Sequence, residues 1–217
     1  MHPIVDGFLT MLKAKRPLVA AHARRVSTYA VRLAAQYGLS PDVMDSIRIG
    51  ALLHDVGKLL VPMRILTKPD RLTRAEWVEL RAHPDKGISL LERAGLDPDT
   101  QKIILHHHER DDGHGYPDAM AGRDIPWPVR IVSVMDSFDA LTSPREYREA
   151  LSIDAARALI AREAGTRFCP WVVSGLLSLP SALLDPGTTE GGSRYLPDGF
   201  PQFAAAESTH AWTAAAG

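Results

Sequence analysis

Apolar residues recur along this chain at three- and four-residue steps almost throughout, the period of helices buried on one side. From Pro17 to Tyr37, Val19, Ala23, Val26, Ala30 and Leu33 form such a stripe, and Arg24, Arg25 and Arg32 point elsewhere. His22 falls on the apolar side, and Gly38 ends the helix. A second helix is expected from about Pro41 into His54, with Met44, Ile47 and Ala51 putting His54 on its inner face and Gly57 breaking it. Residues 59–71 contain prolines and no clean period, and read as loop. Thr73 and Glu76 have capping-box spacing, so a helix starts there, with Trp77 and Leu80 facing inward and His83 at the next step. Pro84 bends or interrupts that helix. A short helix from about Asp99 to His108 stacks Ile103 over His107 and Ile104 over His108. Residues Glu109 to Pro128 are loop, rich in Gly, Asp and Pro.

Ile131 to Thr142 reads as a helix with Asp136 and Asp139 on one face. Ser152 can cap a helix running to about Ala164, stopped by Gly165. Pro170 to Leu179 is a last apolar helix, and no segment has the alternation of a strand. The pattern predicts an all-α protein with one helical domain over residues 17–185. A lead segment, 1–16, precedes it, and the Gly-, Ser-, Thr-, Pro- and Ala-rich tail, 186–217, reads as disordered.

Composition narrows the function. With 217 residues, 45% of them hydrophobic, and a net charge of -1, the chain has no global attraction to nucleic acid polymers or anionic membranes. Its single cysteine, Cys169, excludes an internal disulfide and a cysteine-rich zinc module, and reads as a core residue. No apolar run approaches the roughly 18 residues of a membrane span. Met1 to Thr10 lacks the pattern of a signal peptide, so the expected compartment is the cytoplasm.

The chemistry lies in histidines and carboxylates. His22, His54, His83, His107 and His108 all project from helices toward one interior, and Asp55 and Asp136 join them. Burying five imidazoles without a metal would be costly. Nitrogen and oxygen ligands without a thiolate suit Fe, Mn or Zn. Seven side chains are too many for one ion, so a dinuclear centre is expected, with Asp55 as its bridge. Lys58 supplies a cation beside it, as an anionic substrate would need.

In order, His22-Ala23-Arg24-Arg25-Val26, His54-Asp55-x-Gly57-Lys58, Ile65-Leu66-x-Lys68-Pro69, His83, His107-His108-Glu109-Arg110, Asp112-Gly113-x-Gly115-Tyr116-Pro117 and Asp136-x-x-Asp139-Ala140-Leu141-Thr142-Ser143 resemble the HD-GYP domain, a branch of the HD superfamily of metal-dependent phosphohydrolases. The match runs from about Val19 to Leu177. It implies an HD-type helical bundle with two or three metals that hydrolyses cyclic di-GMP. Carried over, the resemblance makes His22, His54, Asp55, His83, His107, His108 and Asp136 metal ligands. It makes Lys58, Asp139, Arg145 and Arg148 groups that hold the substrate or assist at the phosphate. Tyr116, in the Gly115-Tyr116-Pro117 loop, is implicated in substrate access, and the loop in contacts with diguanylate cyclase (GGDEF) domains. Tyr116 can stack on a base or brace its loop.

The chain also departs from the family. Trinuclear members place a carboxylate one helical turn before the first histidine, where this chain has Leu18, which argues for two metals. The usual Arg-Pro-Tyr run is Arg145-Glu146-Tyr147 here. Most members carry a sensory domain, and the residues before Pro17 are too few for one.

The expected mechanism is metal-dependent hydrolysis of cyclic di-GMP to pGpG or GMP by a hydroxide bridging two Fe or Mn ions, with Asp55 and Lys58 catalytic. Three readings compete: an HD hydrolase for a nucleoside triphosphate or alarmone, an enzyme for cyclic GMP-AMP, and a non-catalytic nucleotide sensor or interaction module. The double histidine and the Gly-Tyr-Pro loop weigh against the first, and the intact ligand set against the last.

Overall fold

A computed structural model of the chain describes residues 3–144 and 149–185. Arg145, Arg148 and the tail from Pro186 to Gly217 lie outside the described residues. The described chain is all-α. Apart from isolated bridges at Asp112–Ala121 and Ala164–Phe168, it contains no β-structure.

Local chemistry sets most helix starts. Helix α2 (Pro17–Ala34) and α3 (Pro41–Leu53) open with proline, whose fixed φ suits the first turn and whose missing N–H costs nothing there. The Ser40 side chain caps α3 by accepting from the Val43 N–H. The single turn α4 (Met63–Leu66) leads to α5 (Arg74–Arg81), which starts with the full Thr73–Glu76 capping box. Helix α6 (His83–Leu91) follows with Pro84 in its first turn, and α7 (Pro98–His106) is capped by Asp97. Helix α8 (Trp127–Thr142), α9 (Ile153–Arg162, capped by Ser152) and α10 (Pro170–Ser178) complete the bundle.

Three elements differ from the sequence reading. Most of the lead segment is a helix, α1 (Pro3–Lys15), whose Val5 and Leu9 pack with Leu52, Leu53, Val56, Leu91 and Ile104. The expected loop over 59–71 begins with the end of a 3-10 turn, Val56–Leu60, and contains α4. Trp77, expected to face inward, is 51% exposed, and α5 buries none of its residues. The capping box fixes where α5 begins, whereas its neighbours α4 and α6 decide which side they cover.

Helix α2 is the spine, lying against α1, α3 and α8, while α3 also meets α7. Tyr29 of α2 and Phe138 of α8 are fully buried and meet edge to face, with centroids 5.8 Å apart. Burying the Phe138 side chain contributes about 1.5–3 kcal/mol. This contact sits two turns along α2 from His22 and next to Asp136 on α8, so it clamps the two helices where they bear site residues. No described helix is long and apolar enough to cross a membrane.

Candidate metal centre

Helix ends aim three of the histidines. The last carbonyls of a helix lack intrahelical partners, and each of these imidazoles bonds to the carbonyl three residues before it. His54 Nδ1 lies 2.8 Å from the Ala51 oxygen, His83 Nδ1 2.8 Å from Leu80 and His107 Nδ1 3.0 Å from Ile104. Donation from Nδ1–H leaves Nε2 as the free lone pair, the arrangement a metal ligand needs. His22 is fixed differently: its Nδ1 lies 2.7 Å from Asp139 Oδ2.

These Nε2 atoms converge in two groups around Asp55. His83, His107 and His108 form one set able to hold an ion, and His22, His54 and Asp136 another. Asp55 faces both. Its Oδ1 is 3.3 Å from His83 Nε2, and its Oδ2 is 3.5 Å from His54 Nε2 and 3.9 Å from His22 Nε2. Asp136 Oδ1 lies 3.0 Å from His22 Nε2. His54 Nε2 and Asp55 Oδ1 are buried with no hydrogen-bond partner. Such orphaned polar atoms are costly unless an ion or water satisfies them. The donor set therefore fits divalent cations.

The electrostatics agree. Burial pushes the His107 pKa well below its ordinary value and, with help from His83, the His108 pKa down to about 3, so both rings are neutral donors. Burial would raise Asp55, but Lys58 and His54 outweigh it and hold the carboxylate far down. Asp136 is likewise depressed against its burial, by its hydrogen bond with His22. Burial lowers His22, yet bonds to Asp136 and Asp139 win and raise it to about 9. A metal must displace a proton there.

Gly57 has a different purpose from ending a helix, since α3 already stops at Leu53. A Cβ at Gly57 would lie 1.8 Å from the His83 carbonyl oxygen and 2.6 Å from the Gly87 nitrogen. Only glycine lets the turn carrying Asp55 press against α6, which carries His83. Gly115 does the same in the Gly-Tyr-Pro loop, where a Cβ would meet the Glu109 Cα at 2.4 Å.

All seven expected ligands thus share one interior. Lys58 Nζ is 2.6 Å from Asp55 Oδ2. Asp139, expected at the substrate, is instead buried and engaged: Arg25 Nε donates to its Oδ1 at 2.6 Å, and Arg25 Nη2 and His22 reach its Oδ2. Tyr116 stacks on His108, with centroids 4.7 Å apart and planes at 26°, and the Arg81 guanidinium covers the ring at 4.3 Å. A cleft of about 150 Å³ leads from His107, His108 and Asp136 past Tyr116 to Arg81, Ser137 and Arg167. Arg25 is expected from the sequence to point away from the side that carries His22, whereas it meets Asp139 beside that ring; the sequence does not single out Arg81 and Arg167 at all. Arg25 stands three residues after His22, a spacing that marks a shared face. Arg81 and Arg167 look like ordinary solvated arginines until the fold brings them to the cleft.

Residues 8–172 match the family model for the HD domain. The chain is 42% identical over 160 residues to the "Cyclic di-GMP phosphodiesterase response regulator RpfG" of Xanthomonas campestris pv. campestris, covering 73% of this chain and 42% of that protein. It is 36% identical over 176 residues to the "3'3'-cGAMP-specific phosphodiesterase 2" of Vibrio cholerae, covering 80% of this chain and 34% of that one. The chain thus spans less than half the length of either relative. Among solved structures, an HDG"Y"P protein from Bdellovibrio bacteriovorus matches with a TM-score of 0.61 at 22% identity, over 73% of this chain and 51% of that one, which is a likeness of fold.

Proposed function

This chain belongs to the HD domain family, in its HD-GYP branch, and from that premise we propose that it is a metal-dependent phosphodiesterase hydrolysing cyclic di-GMP to pGpG or GMP. One observation carries the reading: the two oxygens of Asp55 face two different ligand sets, Oδ1 toward His83 and Oδ2 toward His54 and His22. A carboxylate so turned could serve two ions, which His83, His107 and His108 would hold on one side and His22, His54 and Asp136 on the other. Nitrogen and oxygen donors without a thiolate suit Fe or Mn, with Zn the alternative. Divalent ions held there would supply Lewis-acid chemistry, lowering the pKa of a water from about 15.7 toward roughly 7 and offsetting negative charge at a phosphate.

The chain's own groups do the rest. Asp139 fixes the tautomer and direction of His22, and Arg25 holds Asp139 in turn. Lys58 sits beside the bridging carboxylate, within reach of a phosphate, and stabilises the charged transition state. Arg145 and Arg148 offer forked donors to a second phosphate or a guanine edge. The Gly115-Tyr116-Pro117 loop, exposed at Pro117, is the surface for a GGDEF domain.

The test is an assay of anaerobically purified protein, analysed for metals and then supplied with Mn or Fe and cyclic di-GMP, with products separated. Hydrolysis that EDTA abolishes supports the proposal. Faster cleavage of cyclic GMP-AMP would move the substrate while keeping the reaction, and binding without cleavage would overturn the enzymatic reading.

A further inference from the structure

Of the histidines in the two ligand sets, four are aimed by a hydrogen bond at Nδ1: His54, His83 and His107 by carbonyls, and His22 by Asp139. Among the described residues His108 has no such bond, and it is not buried like His54, His83 and His107. What touches it is rings: His107, with centroids 4.0 Å apart, His83 edge to face at 5.1 Å, and Tyr116, the one stacked nearly parallel, at 4.7 Å.

The surroundings of Tyr116 hold it to that task. Its backbone N–H donates to the His108 carbonyl at 3.3 Å, folding the loop back on its own start. Gly115 lets that return approach closely. Glu109, buried, accepts from the Asp118 and Met120 N–H groups at 2.7 and 3.1 Å and so ties down the far side of the loop. The outer part of the ring is covered by the Arg81 guanidinium, 4.3 Å from its centroid, so a column runs from the metal site to the surface: His108, Tyr116, Arg81. With His108 and Arg81 both packed on its ring, Tyr116 is not a free platform for a base.

We propose that Tyr116, backed by Arg81, is a positioning residue that aims His108 at its ion by stacking, in place of the hydrogen bond that aims the other four histidines. The inference rests on the metal-centre reading and is independent of which substrate is cleaved. It makes the set of His83, His107 and His108 sensitive to the loop, and leaves the set of His22, His54 and Asp136 insensitive to it. The phenol hydroxyl takes no part, so phenylalanine can replace tyrosine.

The experiment is a Mn(II) titration of the metal-free full chain without substrate, with free ion read by electron paramagnetic resonance, alongside thermal melting. The wild type is expected to bind two equivalents. Tyr116→Phe should match it. Tyr116→Ala should keep one equivalent at wild-type affinity and bind the other about 10- to 100-fold more weakly, the usual cost of losing a group that orients a ligand. Arg81→Gln should weaken the same equivalent by a smaller factor. Unchanged binding in Tyr116→Ala, an equal loss in Tyr116→Phe, or weakening of both ions together with a lower melting temperature would each overturn the proposal. So would a wild type that binds no metal. A wild type that binds two ions and cleaves no cyclic dinucleotide would refute the proposed activity and leave the titration to decide this inference.

Discussion

His22 and Asp139, 117 positions apart in sequence, meet at 2.7 Å through Nδ1 and Oδ2. The contact turns the other ring nitrogen of His22 toward Asp136 and Asp55. Arg25, one turn along from His22, closes the arrangement by gripping both oxygens of Asp139 and the Ser143 hydroxyl. Removing Asp139 therefore acts on metal affinity through His22. Asp139→Ala is expected to weaken ion binding by about 10- to 100-fold. Activity should recover in part at high Mn, which a metal-dependence curve would reveal. A variant with normal metal affinity and a raised KM would return Asp139 to the substrate.

Asp55 and Lys58 should separate metal binding from turnover. Asp55→Ala removes the carboxylate whose two oxygens face the two ligand sets and is expected to abolish hydrolysis and most bound metal. Lys58→Ala should retain metal by elemental analysis and lose turnover on the order of 10²-fold, the effect of one electrostatic donor. Near-normal turnover in either variant would contradict the assignment.

Gly57→Ala should disturb the site without touching a ligand. The added methyl would sit 1.8 Å from the His83 carbonyl oxygen, a backbone atom that no side-chain movement relieves. The turn bearing Asp55 must then move away from α6. A destabilisation of about 1–3 kcal/mol is expected from such overpacking. Denaturant unfolding and metal content should both fall.

Asp97 links stability to pH through α7, the helix that leads into His107. Burial raises its pKa, but bonds from the Thr100 hydroxyl and N–H and from Ser46 outweigh that and lower it. A depressed folded pKa gives stability that is fully present above the unfolded value, about 3.9, and is lost as pH falls through the folded one. Asp97→Ala is expected to cost about 1 kcal/mol at neutral pH, as lost caps do. Urea unfolding should show the gap to wild type narrowing as pH drops below about 4. A constant gap would mean the carboxylate charge contributes nothing.

Much of this protein follows from interactions within one helical turn, and those were legible in the sequence. Proline in the first turn of α2, α3 and α10, and the caps Thr73 and Ser152, act on backbone groups no more than a few residues away; Ser40 and Asp97, which the sequence reading passed over, act in the same way. The inward phase of His22, His54 and His107 follows from the same 3.6-residue period, and so does the shared face of Asp136 and Asp139. Packing between distant segments leaves no such local trace. The apolar stripe of α1 was present at Val5, Leu9 and Leu12, yet only its docking on Leu52 and Leu91 makes it part of the core. Trp77 is half exposed because no described helix covers that side of α5, whatever its period. Gly57 is required by a carbonyl 26 residues later, and Asp139 meets Arg25 and His22 from the far end of the domain. Periodicity assigns a side chain to a face, because the helix repeat alone sets that. Which group lies across from it depends on how the helices pack, and that is where His22 gained Asp139 and His108 gained Tyr116.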